Sequence, residues 1–152
     1  MHWLETRIPP PIVMLLLGLA ALAAAQYAPA FAFHVAFQTA LAIAVALVGL
    51  ALNLLPKRAF RRAGTTVNPL HPAASTRLVT SGIYRYTRNP MYLGHALILF
   101  GWTLHLGNAL ALFALPAFVL FVSRFQIQPE ERALARRFPE HALYCRQVRR
   151  WL

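Results

Sequence analysis

Cysteine and acidic residues are the scarce chemistries of this 152-residue chain. A single cysteine, Cys145, rules out an intrachain disulfide and a cysteine-rich zinc site. The six histidines are scattered without tight ligand spacing, so no protein-bound metal is expected. Only four acidic residues stand against fifteen basic ones, a formal net charge of +11. Charged residues make up 12% of the chain against 59% hydrophobic, too few for an ordinary water-soluble domain of this size. Long uncharged stretches separate the basic residues, which argues against a nucleic-acid partner and for anionic lipid headgroups. No internal repeat is evident. Few lysines beside abundant alanine, arginine and proline point to a bacterial source with a GC-rich genome.

In place of charge the chain has uncharged length, and it reads as one membrane-embedded domain over residues 1–152. Residues 12–27 form a first span behind Pro9, Pro10 and Pro11, which suit a first helical turn because its amide hydrogens lack partners anyway. One acid and one base in residues 1–7 make a weak positive region, which favours a retained span over a cleaved leader ending at Ala23-Ala24-Ala25. Residues 30–55 give a second span, longer than the roughly 20 residues a bilayer core requires. These two occupy residues 1–55. At Pro56 a polar stretch opens with Lys57, Arg58, Arg61, Arg62, Arg77, Arg85 and Arg88, punctuated by Gly64, Pro69, Pro72 and Gly82, and reads as a basic loop.

Residues 89–123 carry no charge, and as one helix they would extend about 50 Å, against a hydrocarbon core of about 30 Å. A turn at Gly107-Asn108 divides them into a hairpin of helices over 91–106 and 109–123. The hairpin also places every basic cluster on one side of the membrane, as the positive-inside rule requires. The expectation is an all-α membrane protein of about four spans, multi-pass in the bacterial inner membrane, with both termini cytoplasmic. Pro129 starts a further helix with Glu130 and Glu131 in its dipole-favoured first turn. After Pro139, residues 142–151 resume as a basic segment at the headgroups.

The informative stretch is Ser81-Gly82-Ile83-Tyr84-Arg85-Tyr86-Thr87-Arg88-Asn89-Pro90-Met91-Tyr92-Leu93-Gly94-His95. By composition it is an interfacial anchor, since tyrosine and arginine favour headgroup depth. That reading does not account for Glu130-Glu131, half of all the acids, on the same side.

Together these segments resemble the membrane methyltransferases that include isoprenylcysteine carboxyl methyltransferase and the phospholipid methyltransferases. The matches are Gly82 and Tyr84, Arg88-Asn89-Pro90-Met91-Tyr92-Leu93-Gly94, the hairpin, Glu130-Glu131-Arg132-Ala133-Leu134, Phe138, and Tyr144 before Val148-Arg149-Arg150-Trp151. The resemblance covers about residues 65–152. It implies S-adenosyl-L-methionine as methyl donor, bound by Leu78, Val79, Tyr84, Arg88, Asn89, Pro90, Tyr92, Gly94, Glu130 and Glu131. Of these, Arg88, Glu130 and Glu131 form the catalytic set. His95, Trp102, Arg124 and Gln126 are expected toward a small or lipophilic acceptor arriving from the bilayer. The residue types suit that donor: aromatic faces stabilise a sulfonium, an arginine faces a carboxylate, and carboxylates accept hydrogen bonds from amino and hydroxyl groups. Asn89 stands where the family usually has histidine, which removes a group that titrates near neutral pH. Gln126 stands near an arginine of the carboxyl methyltransferases, which points away from a prenylcysteine carboxylate. Pro139 replaces the glycine after Phe138.

Two other readings remain open at this level. A membrane reductase of the sterol-reductase kind, using NADPH, has a similar C-terminal region. A non-catalytic protein would use its polybasic loop and tail to bind anionic lipid.

Overall fold

The computed structural model describes residues 4–63 and 78–152, of which 57–63 by backbone only. Gly64, Pro69, Pro72 and Arg77 of the expected basic loop lie outside the described residues. The helices are α1 (Pro10–Tyr27), α2 (Gln38–Ala63), α3 (Pro90–Leu106), α4 (Ala114–Val122), α5 (Gln128–Arg137) and α6 (His141–Gln147), and no strand occurs among the described residues.

Each helix boundary has a local cause. Prolines open α1 and α3, where a missing amide hydrogen costs no intrahelical bond. Gly107 ends α3 at φ 58°, the left-handed conformation of a helix C-cap, and its amide donates to the Thr103 and Leu104 carbonyls. A side chain there would place its Cβ 2.6 Å from the Phe33 carbonyl oxygen. The expected hairpin turn is therefore present, and the next helix resumes at Ala111.

Two boundaries differ from the sequence reading. The second span does not end its helix at Leu55: α2 passes through Pro56 to Ala63, so the start of the expected basic loop, including Lys57, Arg58, Arg61 and Arg62, is helical. A single proline removes one backbone bond, and the flanking residues of a long helix retain the rest. Nor does Pro129 start a separate helix. Helical turns run from Ala111 to Arg137 with a π turn at Ser123–Ile127 between α4 and α5, and Pro129 sits in that continuous run. The second uncharged run also becomes helical only at Gln38, after a short 3-10 turn at Pro29–Phe31.

Three helical stretches, Pro10–Tyr27, Gln38–Pro56 and Ala111–Arg137, are long and apolar enough to cross a membrane. The 17 residues of α3 rise about 26 Å and pack against all three of them. Hydrogen bonds show that the helices alternate in direction. Ala28, Phe31, Gln38, Leu104 and Asn108 meet at one end, whereas Thr6, Phe125 and the segment after α6 meet at the other. Every described arginine lies at this second end.

Packing is closest between α2 and α3, where small residues let the backbones touch. A Cβ on Gly49 would lie 2.6 Å from the Gly94 carbonyl oxygen, and one on Gly101 would lie 2.7 Å from that of Ala42. Phe118, Val122, Ile127 and Leu99 fill the space between α1, α3 and the fourth helix. Leu15, Leu16, Leu47, Ile43 and Leu120 point outward and exposed, an apolar belt suited to lipid.

Candidate functional site

The continuous helix explains where the acids stand. Its 27 residues rise about 40 Å, roughly 10 Å more than a hydrocarbon core, so its last turns project to headgroup depth. Glu130 and Glu131 lie there, facing the first turn of α3. Tyr92 donates a 2.5 Å hydrogen bond to Glu130 Oε1, and Gln126 Nε2 donates to the same oxygen at 2.7 Å. Glu131 pairs with Arg88 at 3.3 Å and accepts a two-pronged contact from Arg150 at 3.2 and 2.6 Å.

The segment before α3 is held by the chain's end. The Arg88 amide donates to the Arg149 carbonyl at 3.0 Å, and Asn89 Nδ2 donates to the Arg150 carbonyl at 2.9 Å. Asn89 thus serves as an amide donor to backbone where the family usually has histidine. Thr87, fully buried, accepts the Asn89 amide hydrogen on its Oγ1. Pro90 is buried at the helix start, and Gly94 lies one turn on, against α2. Tyr84 lies in the 3-10 turn Gly82–Arg85, and its carbonyl accepts a 2.7 Å bond from Tyr144. Burial raises the Tyr84 phenol well above its usual value, with the nearby Tyr144 and Glu130 adding to the effect. Burial pushes the Tyr144 phenol up to about 12 against the opposing charge of Arg88. Both tyrosines are neutral hydrogen-bonding groups at physiological pH. Val79 is buried and Leu78 half-buried just before this turn.

Arg88 has a partner at each terminal nitrogen. One terminal nitrogen faces Glu131 and the other contacts the Cys145 sulfur, while Nε, also buried, makes no hydrogen bond to any described residue. A buried donor without a partner is costly, and an oxygen-bearing ligand relieves that cost. The donor set also suits a zwitterionic ligand, since Arg88 and Arg150 offer positive charge beside the carboxylates of Glu130 and Glu131. No group of three metal-ligating side chains occurs among the described residues.

The remaining expected residues are placed differently. Gln126 is inside the cluster through Glu130. His95 Nδ1 donates to the Met91 carbonyl of its own helix at 2.7 Å. Trp102 stands ten residues from Tyr92 along α3, about 15 Å away, and donates to the Gly18 carbonyl of α1 at 3.0 Å. Arg124 turns outward to Glu5 at 3.1 Å. Arg150 was legible only as part of a basic run, and Glu5 only as the one acid before the first span; the structure pairs Arg150 with Glu131 and Glu5 with Arg124 and Arg132.

Comparison with known proteins assigns the family. Residues 37–141, more than half of the chain, match the family model for phospholipid methyltransferase. The chain is also 48% identical over 63 residues to an uncharacterized protein of Haemophilus influenzae, covering 41% of this chain and 100% of that protein. No solved structure matches it. With three helices able to cross a bilayer, this is a membrane protein, and the chain belongs to the phospholipid methyltransferase family.

Proposed function

We propose that the chain transfers a methyl group from S-adenosyl-L-methionine to a small or lipophilic acceptor entering from the bilayer, at the cytoplasmic face of a bacterial inner membrane. The observation that carries this reading is the convergence of Arg88, Asn89 and Tyr92 with Glu130 and Glu131 at the end of the bundle that holds every described arginine. Four spans with both termini cytoplasmic fit that arginine distribution. S-adenosyl-L-methionine supplies a methyl group made electrophilic by its sulfonium.

The chain's own part is to bind and orient. Arg88, with its free Nε, holds a carboxylate. Glu130 and Glu131 accept hydrogen bonds from amino or hydroxyl groups, and the faces of Tyr84 and Tyr92 suit a cationic sulfur. In-line transfer needs donor and acceptor aligned more than it needs a nucleophilic side chain, so fixed geometry supplies much of the rate. The ion pairs of Glu131 with Arg88 and Arg150 hold these groups in place before a ligand arrives and exchange with it on binding. The acceptor approaches along the apolar outer faces of the helices, which suit a lipid tail.

Calorimetric titration of the detergent-purified protein with S-adenosyl-L-methionine, its demethylated product and NADPH tests the reading. The first two bind wild type and fail to bind the Glu130→Gln, Glu131→Gln double variant. Binding of NADPH alone moves the chain to a reductase, and binding of none moves it to a lipid-binding protein.

A further inference from the structure

The residues before the first span reach the back of the fourth helix at its one irregular turn. Residues 123–127 wind as a π-helix, with the Gln128 amide donating to the Ser123 carbonyl. Such turns are rare and favour functional sites, because the extra residue re-aims everything after it. In an α-helix each residue advances about 100°, so closing the π turn would rotate Glu130 and Glu131 by that amount and carry Glu130 away from Tyr92.

The side of this turn away from the site is gripped by residues 5 and 6. Glu5 Oε1 pairs with Arg124 at 3.1 Å, and Glu5 Oε2 pairs with Arg132 at 2.5 Å. The Thr6 amide donates to the Phe125 carbonyl at 2.9 Å. Thr6 sits at φ 57°, uncommon for a threonine, and this turns both groups toward the helix. From the chain's other end, Trp151 Nε1 donates to Ser123 Oγ at 3.1 Å.

Arg124 and Arg132 are eight residues apart. In a regular α-helix eight residues overshoot two turns by about 80°, which would splay the two arginines to opposite edges of one face. One wide turn plus one ordinary turn takes about eight residues, which brings them onto the same face. One carboxylate therefore bridges both arginines most directly in the π register. The bridge and the Tyr92–Glu130 contact are therefore favoured by the same backbone state.

We propose that Glu5 is a positioning residue for the site. Its bridge of Arg124 and Arg132, with the Thr6 amide on the Phe125 carbonyl, selects the π register that directs Glu130 at Tyr92 and Glu131 at Arg88. This rests on the donor-binding reading above for its functional consequence, but the register itself is measurable without a ligand.

The test uses the full chain in detergent, as wild type, Glu5→Ala, Arg132→Ala and the double variant, read by amide hydrogen exchange and by titration with S-adenosyl-L-methionine. Glu5→Ala should speed exchange over residues 123–131 and lower donor affinity, each by about fivefold, the scale for pairs with half-exposed arginines. Exchange in α1 and α3 should not change, and the double variant should lose no more than Glu5→Ala alone. Thr6→Gly, which suits the same backbone angle, should retain wild-type exchange and affinity. Unchanged exchange at 123–131, additive losses, or faster exchange with unaltered affinity each overturn the proposal. If wild type itself binds no donor, the methyltransferase reading fails. The register claim is then decided by exchange alone: faster in Glu5→Ala supports it, and unchanged exchange overturns it.

Discussion

The two ends of the helical bundle are both rich in hydrogen bonds, yet they spend polar groups differently. At the end formed by residues 28–38 and 104–111, Asn108 is buried and saturated by backbone. Its Nδ2 donates to the Ala28 carbonyl at 2.9 Å, and its Oδ1 accepts from the Leu110 and Ala111 amides. Gln38 likewise donates to the Leu104 carbonyl and accepts from the Val35 amide. These side chains close turns. At the opposite end, side chains bind side chains: Tyr92 and Gln126 to Glu130, Arg88 and Arg150 to Glu131, Arg124 and Arg132 to Glu5. Backbone bonds satisfied by a neutral amide have no reason to open. Mutually paired ions at the membrane surface can exchange one partner for a charged ligand, and that separates a structural end from the candidate site.

Four substitutions or conditions sharpen this contrast. The largest effect is expected from Glu131→Gln, which leaves Arg88 and Arg150 without their shared partner. Donor affinity should fall by at least about 30-fold, near 2 kcal/mol, in a calorimetric titration. Gly94→Ala comes next, because its Cβ would lie 2.6 Å from the Gly49 carbonyl oxygen and force α2 from α3. It should cost about 1–3 kcal/mol of stability, seen as a lower melting temperature, with weaker donor binding because Tyr92 lies on the same turn.

Asn108→Ala reverses the pattern. It should lose about 1–2 kcal/mol of stability while donor affinity stays at the wild-type value, and a loss of affinity there would erase the distinction between the two ends. The smallest effect is one of pH at His141. Burial lowers its pKa below 6.5, with Glu131 acting against that shift and Arg88 with it. The fold favours the neutral ring, so this contribution is intact above pH 6.5 and is lost as pH falls through the lowered value. The drop in melting temperature between pH 7 and pH 5 should be smaller in His141→Asn than in wild type.

Much of the arginine-rich end was legible before the fold. Arginine and tyrosine beside Asn89-Pro90, with the acidic pair downstream, marked the residues that now converge, and Gly107 marked the turn that makes convergence possible. Arg124, Trp102 and His95 were less legible. Their types suit an acceptor, but the fold turns Arg124 to Glu5, Trp102 to the Gly18 carbonyl and His95 to its own helix. Proximity in sequence to a motif did not say which way each side chain faces.

By itself the sequence determined the uncharged runs, the arginine-rich end and the helix breaks, because hydropathy, charge and backbone preference act over a few neighbouring residues. Only the tertiary structure decided the partners: Tyr92 with Glu130, Glu131 with Arg150, and Glu5 with Arg124 and Arg132. It also decided the π turn and the passage of α2 through Pro56. Partner choice follows from which helix ends antiparallel packing brings together, and a single wide turn alters side-chain direction without leaving a mark in hydrophobic periodicity.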